Sequence, residues 1–210
     1  MIRTFSFHIS RRFLGGLSLF ALLGLGGCIN LDPVVDPTRT FLLYAPGVDV
    51  EAFGDRSDKP SIYIDKVDIP PYLDDKRLVI RLSDQQVEYE EFIRWAEPLD
   101  QGIGRAIALN LVNLPGVEEV SFYPWKGVRS MDLVFQLKVF KFELQADGEV
   151  DFNGVLRIRR SGDSSEGLLQ YPFEIRKPVE DDRPETIIQA MSDAIRDLTQ
   201  SLAEQYGQNR

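Results

Sequence analysis

The sequence contains one cysteine and one histidine, and their scarcity removes several kinds of chemistry. His8 and Cys28 both lie near the amino terminus, so no later residue supplies an imidazole or a thiol. Hydrolases with Ser-His-Asp or Cys-His centres are excluded, as are zinc sites of the usual His and Cys type and disulfides within the chain. Carboxylates, lysines, tyrosines and hydroxyls remain as possible catalysts, so enzymes of other types stay open.

Basic residues are also few. Residues 1–27 hold three of the 24 basic residues and none of the 33 acidic ones, so the rest of the chain has a net charge of −12. Binding to nucleic acid requires a basic face, and electrostatic adsorption to anionic lipid requires basic clusters. We therefore expect neither. The chain also lacks a P-loop for nucleotide phosphates.

The first 27 residues have the parts of a bacterial signal peptide. Arg3, Arg11 and Arg12 form a positive region without acidic residues, and residues 13–25 are apolar apart from Ser18. A transmembrane helix needs about 20 apolar residues, and this stretch is shorter, so a cleaved signal is favoured. A twin-arginine export motif is a weaker alternative to general secretion.

The signal ends in a lipobox. Leu25, Gly26 and Gly27 precede Cys28, and small residues before a cysteine suit the lipoprotein signal peptidase. We expect cleavage before Cys28, with a diacylglycerol and an N-linked acyl chain on that residue and no other cofactor. Ile29 replaces the aspartate that favours retention in the inner membrane. The expected location is therefore the outer membrane of a Gram-negative bacterium, with the domain facing the periplasm.

Beyond the signal, the pattern predicts one domain on a tether. Residues 28–40 hold two prolines and little periodicity, so they are interpreted as the lipidated terminus and an extended tether of at most ~35–40 Å. Residues 41–206 form the predicted domain. It starts with an apolar strand over residues 41–44, followed by a strand over residues 62–69 and a hairpin of alternating residues between 78 and 89.

Two segments have helical periodicity. Apolar residues recur every four positions from Leu99 to Leu111, after Pro98 and before Pro115, which predicts a helix. A second apolar stripe predicts a helix from about Pro184 to Gln205.

Between the helices lies a meander of strands. In residues 131–144 the apolar parity changes between Val139 and Phe140, which predicts a β-bulge or sharp bend there. Pro172 falls within the last strand and predicts an edge position. The expected fold class is α+β, a mostly antiparallel sheet with two helices packed on one face.

Two motifs resemble a known family. One is Pro70-Pro71-Tyr72-Leu73-Asp74 followed by Leu78, Val79 and Arg81, and the other is the segment from Arg94 to Leu99, RWAEPL. Together with the lipobox and tether, they resemble the ABC-type transport auxiliary lipoprotein family, over about residues 40–205. Asp75 stands where an arginine is common in that family, and Ile69 where a valine is usual.

The resemblance implies an accessory role and no enzymatic activity. Members of the family look like outer-membrane-anchored partners of MCE (mammalian-cell-entry) domain transport systems. In these systems a permease and an ATPase feed a periplasmic MCE assembly that moves lipids or other hydrophobic solutes. The expected partners are a periplasmic MCE-domain protein, the outer membrane through the lipid anchor, and further copies of the chain.

Partner contacts are predicted at the two motifs that resemble the family and at one loop tryptophan. The Tyr72-Leu73-Asp74 loop and Arg94 are favoured for contact, and Trp125 is either tucked under its loop or part of an interface. The candidate residues are Tyr72, Leu73, Asp74, Arg94, Trp95 and Trp125. Most of the RWAEPL segment suits a structural role, with Trp95 as a core anchor.

Two other functions stay open at this point. A carboxylate-dependent periplasmic enzyme would need a cleft with two facing acids. A stand-alone lipid-binding lipoprotein would need a sizeable apolar cavity.

Overall fold

The computed structural model describes residues 35–48, 59–125, 131–160 and 169–208, and those from Pro37 onward belong to one compact unit. This part of the chain contains eight strands and two helices. The strands are β1 (Arg39–Phe41), β2 (Ser61–Ile64), β3 (Arg77–Ser83), β4 (Gln86–Trp95), β5 (Glu119–Phe122), β6 (Leu133–Gln145), β7 (Glu149–Arg160) and β8 (Leu169–Pro178). The helices are α1 (Leu99–Val112) and α2 (Pro184–Gln208).

All eight strands form one mixed sheet. Its path runs β1-β4-β3-β6-β2-β5, with β7 on the other side of β6 and β8 beyond β7. The long pairings, β6 with β7 and β7 with β8, are antiparallel, as is the β3–β4 hairpin. Shorter parallel pairings join β1 to β4, β2 to β5 and β6, and β3 to β6. The predicted α+β class with a mostly antiparallel sheet is confirmed, whereas the parallel pairings were not predicted.

The first strand begins and ends earlier in the chain than the sequence pattern predicted. The pattern predicted a tether to residue 40 and a strand over residues 41–44, but β1 is Arg39–Phe41 and residues 42–48 are irregular. The apolar run resembles a strand because Leu43 is buried at 2% exposure while its neighbours Leu42 and Tyr44 face solvent. Alternation of this kind occurs in any extended segment, whether or not another strand pairs with it.

The core lies between the sheet and the two helices, which also contact each other. From α1, Ile103 and Ala106 are fully buried, and from α2, Met191 and Ile195 are fully buried. Each large apolar side chain removed from water contributes about 1.5–3 kcal/mol. The helix stripes read from the sequence are therefore the faces that pack on the sheet.

The predicted bulge in β6 is confirmed. Val139 pairs with Gly154 and Lys141 with Asn153, so Phe140 has no partner across the ladder. The alternation grouped Phe140 with Phe142 and Leu144, but Phe140 is 49% exposed and Phe142 is 1% exposed. The correction has a simple cause: the extra residue of a bulge leaves the pleat, so it does not follow the alternation on either side.

The predicted edge strand is also confirmed. β8 pairs only with β7, and Pro172 lies opposite Val155 within that ladder. Proline has no N–H to donate, so it is tolerated where that N–H would point away from the neighbouring strand.

Candidate partner-binding surface

The sheet divides where one edge of β6 is shared by two strands. β2 pairs with the start of β6, at Leu133 to Phe135, and β3 pairs with its end, at Leu144 and Gln145. Between them the chain follows β6 at Asp68, whose N–H donates to Leu137 O at 2.9 Å and whose carbonyl accepts from Val139 N at 2.8 Å. The segment that joins β2 to β3 therefore leaves the sheet beside the bulge.

A 3₁₀ turn, Pro71–Leu73, lies in this segment. Pro70 is extended, with ψ 150°, and Pro71 takes the first position of the turn, where a missing N–H costs nothing. Leu73 N donates to Pro70 O at 2.9 Å, and the Leu73 side chain is buried at 1% exposure. Asp74 follows at the surface. The turn is thus anchored in the core and presents a carboxylate to solvent.

Tyr72 connects the turn to the bulge in β6 and to strand β4. Its hydroxyl donates to Phe140 O at 3.2 Å, at the bulge, and its carbonyl accepts from the Tyr89 hydroxyl of β4 at 3.1 Å. Burial, and then the nearby carboxylate of Glu143, raise the pKa of Tyr72 to about 12. Tyr72 is therefore a neutral donor at physiological pH that holds the turn to the sheet.

Arg81 and Glu143 form a buried ion pair beneath this tyrosine. The Glu143 side chain has no exposed surface, and its two oxygens accept from Nε and Nη2 of Arg81. The guanidinium also lies 5.5 Å from the centre of the Tyr72 ring. Bonding to Glu143 raises the pKa of Arg81 above its ordinary value, so the guanidinium stays charged.

Glu143 has a second acid beside it. Asp151 is its partner across the β6–β7 ladder and is 1% exposed. Lys141 Nζ lies 3.1 Å from the Asp151 carboxylate, and the Asn153 amide donates to it at 2.9 Å. Two facing acids were the feature expected of a carboxylate-dependent enzyme. Here each acid is paired with a cation, and the described residues contain no group of three or more metal-ligating side chains.

A second charged cluster lies on β3 and β4. Arg77 donates to Asp75 from Nε and Nη2, both at 2.9 Å, and stacks over the Tyr89 ring at 4.5 Å. Hydrogen bonds from Arg77 lower the pKa of Asp75 to about 2. Arg94 lies opposite Arg77, and its buried Nη1 has no hydrogen-bond partner in the described part of the chain.

Leu73 and Trp95 do not lie at the surface. They are 1% and 7% exposed and belong to the core, so we correct their assignment as partner-contacting residues. Leu73 is the last residue of the 3₁₀ turn and Trp95 the last residue of β4, and both side chains are buried in the core. Tyr72 and Arg94 are half-buried and Asp74 is exposed.

Trp125 stands apart from the other candidates. It is 79% exposed and follows the cis Tyr123–Pro124 bond just after β5, at one end of the sheet path. The 3₁₀ turn lies instead between β2 and β3. Leu25, Gly26, Gly27 and Cys28 fall outside the described residues, so the lipobox stays a prediction.

Sequence reasoning missed three residues of this surface. The alternation grouped Phe140 with Phe142 and Leu144, and it placed Glu143 and Asp151 only as polar residues on the face opposite the apolar ones. The parity change at residues 139–140 located Phe140 within the bulge. The burial of the two acids had no signal in the sequence. Alternation shows which face of the strand a side chain is on, but it does not show whether other residues cover that face.

An apolar pocket of about 240 Å³ lies elsewhere, at the ends of both helices. Its lining includes Leu111, Leu133, Phe135, Ile158 and Leu202. Sites for drug-sized molecules usually span ~300–1,000 Å³. This pocket is smaller than expected for a carrier that encloses a whole lipid.

Neither helix in the described part of the chain has the length and hydropathy of a membrane-spanning segment.

Residues 41–203 match the model of a known protein family. A family model described as the ABC-type transport auxiliary lipoprotein component matches residues 41–203. The chain belongs to this family. The match covers the whole described sheet from Phe41 and nearly all of α2, so it includes both motifs that carry the resemblance. The family is one of transport auxiliary components.

Solved structures show the same fold. A protein described as uncharacterized has a TM-score of 0.65 and 20% identity, with 80% of this chain and 99% of that chain covered. A DUF330-family protein from Xanthomonas campestris has a TM-score of 0.63 and 13% identity, with 79% and 92% covered. No curated protein matches. At these identities the likeness supports the fold alone.

Proposed function

We propose that this auxiliary lipoprotein docks the periplasmic MCE-domain assembly of an ABC-type transporter to the outer membrane, where it supports movement of lipids or other hydrophobic solutes. In this proposal Cys28 carries the acyl chains, residues 29–38 form the tether, and the domain binds the partner. Self-association into an oligomer would give several docking sites for one partner assembly.

The observation that carries the docking role is the fixed presentation of the turn at the sheet division. Leu73 anchors the turn in the core, and Tyr72 ties it to the bulge and to β4. Asp74 therefore stands at the surface on a fixed base, and the turn is bonded through Tyr72 to the backbone of Phe140, whose side chain is exposed at the bulge. An apolar ring and a charge on a preorganised support suit a binding site, because little entropy is lost when the partner binds.

The other two functions have less support. Glu143 and Asp151 are paired with Arg81 and Lys141, so these two facing acids do not form a free acid–base pair. The apolar pocket is too small to enclose a whole lipid. Docking is therefore the function that we propose.

Affinity measurements with the periplasmic MCE-domain protein of the same organism test the proposal. Asp74→Lys should weaken binding at least tenfold, because it reverses a charge at the centre of the proposed contact. Asp84→Lys is the matched control, since Asp84 is exposed in the β3–β4 turn and the change in charge is the same. Equal affinity for both variants and the unchanged protein would refute docking through this turn.

A further inference from the structure

The segment after β1 lies across both helices. This N-terminal strap, residues 42–48, is irregular, yet three hydrogen bonds hold it. Tyr44 N donates to Ser192 Oγ of α2 at 2.9 Å, Arg105 Nη2 of α1 donates to Leu43 O at 2.9 Å, and Asn113 Nδ2 donates to Gly47 O at 3.1 Å. The strap is therefore fixed to the helical layer.

The side chains of the strap divide into one anchor and three exposed apolar groups. Leu43 is 2% exposed and packs in the core, whereas Leu42, Tyr44 and Val48 are 52%, 59% and 46% exposed. Three large apolar side chains within seven residues of a hydrogen-bonded segment form an apolar patch with no cover among the described residues. Such patches mark sites of contact with a protein or a membrane.

The position of the strap in the chain indicates the partner. Only ten residues, 29–38, separate Cys28 from β1, and they reach at most ~33–36 Å when fully extended. The strap follows β1 directly, so it is the first exposed apolar part of the domain after the tether. Tyrosine suits the boundary between lipid and water, because its ring is apolar and its hydroxyl is polar.

We propose that the N-terminal strap rests on the surface of the bilayer, with Leu42 and Tyr44 in the interfacial region. The contact is apolar, because a net charge of −12 gives no attraction to anionic lipid. The acyl chains provide the affinity, and the strap sets the orientation. This inference rests on the lipid anchor of the proposed function.

The orientation has a consequence for docking. Phe142 belongs to the core that lies between the sheet and the helices, and the next residue, Glu143, interacts with Tyr72. Because successive side chains of a strand point to opposite faces, we infer that Glu143 and Tyr72 lie on the face of the sheet away from the helices. With the strap on the membrane, the helical layer faces the bilayer. The turn at Tyr72 and Asp74 then points into the periplasm, where a partner can reach it.

Spin labels measure this contact directly. The acylated Cys28 leaves no other thiol, so Tyr44→Cys gives one labelling site in the lipidated protein on phosphatidylcholine vesicles. Oxygen partitions into bilayers and chromium oxalate stays in water. A label at residue 44 should collide more with oxygen and less with chromium oxalate than a label in the control Leu169→Cys, which is 50% exposed on β8.

Two results would overturn the proposal. Identical accessibility at residues 44 and 169 would place the strap in water. Shielding of residue 44 from both reagents would indicate contact with a second copy of the chain.

A second arm separates this inference from the lipid anchor. Residues 29–210, held to nickel-chelating lipid by an amino-terminal histidine tag in place of Cys28, should give the same contrast between the labels. If the natural protein fails to float with vesicles but the tagged one shows the contrast, the anchor is wrong and the strap is correct. If the natural protein floats but neither form shows the contrast, the strap proposal is wrong and the anchor stands.

Discussion

Glu143 and Asp151 lie directly opposite each other on β6 and β7, and both carboxylates are buried. Two negative charges side by side in the sheet would repel each other without compensation. Arg81 and Lys141 supply the compensating positive charges, and the amides of Gln145 and Asn153 add hydrogen bonds to the two acids. The pair is therefore part of the structural support for the turn at Tyr72 and not a free acid–base centre.

The first prediction concerns the Arg81–Glu143 pair. Glu143→Ala should lower the free energy of unfolding by about 3–5 kcal/mol, because it leaves a guanidinium with little solvent and no carboxylate partner. Urea denaturation measures the change. The double variant Arg81→Met/Glu143→Leu should recover most of the loss, since it leaves no unpaired charge. A loss under 1 kcal/mol in the single variant would contradict the pairing.

The second prediction concerns pH. The pKa of Asp75 is about 2 in the folded protein and 3.8 in its ordinary state. Its ionised form therefore stabilises the fold above about pH 4, and this contribution is lost as pH falls from 4 to 2. The melting temperature of Asp75→Asn should lie below that of the unchanged protein at pH 7, with a gap that narrows below pH 4. A gap of constant size would show that the Asp75–Arg77 pair does not contribute.

The third prediction concerns Gly154, which lies opposite the bulge. A Cβ at this position would clash with the backbone oxygen of Lys138 and would lie 3.1 Å from Val139 Cα, which is also a backbone atom. Gly154→Ala should cost about 1–3 kcal/mol of unfolding free energy through overpacking. Gly116→Ala is the control, because nothing lies within 4 Å of its added methyl group. Equal stability of the two variants would argue against the close approach of the strands.

The fourth prediction concerns the open edge of β8. Pro172 and Pro178 have the same parity, so both remove donors from the outward side of the strand. Pro172→Thr restores one outward N–H and should increase self-association, because an unblocked edge can pair with another chain. Sedimentation velocity measures the change, with Gln170→Thr as the control on the same edge. A monomer–oligomer distribution equal to that of the control would show that the proline does not protect the edge.

Several features could be read from the sequence alone, because they depend on local geometry. The parity change between Val139 and Phe140 located the bulge, since strand side chains alternate with a period of two. Pro172 located an edge strand through its missing N–H, and the apolar stripes located α1 and α2. The absence of histidine after His8 excluded whole classes of catalysis whatever the fold. The lipobox at Cys28 is likewise local, and it stays a prediction.

The candidate surface, in contrast, was decided by the tertiary structure. The turn at Tyr72 lies beside the bulge at Phe140 only because β2 and β3 share one edge of β6, and parallel pairings between distant segments have no local signal. Glu143 and Asp151 are buried because Arg81, Lys141 and their neighbours cover that face. Side-chain alternation determines which way a residue points, but only the packing of distant segments determines what meets it there.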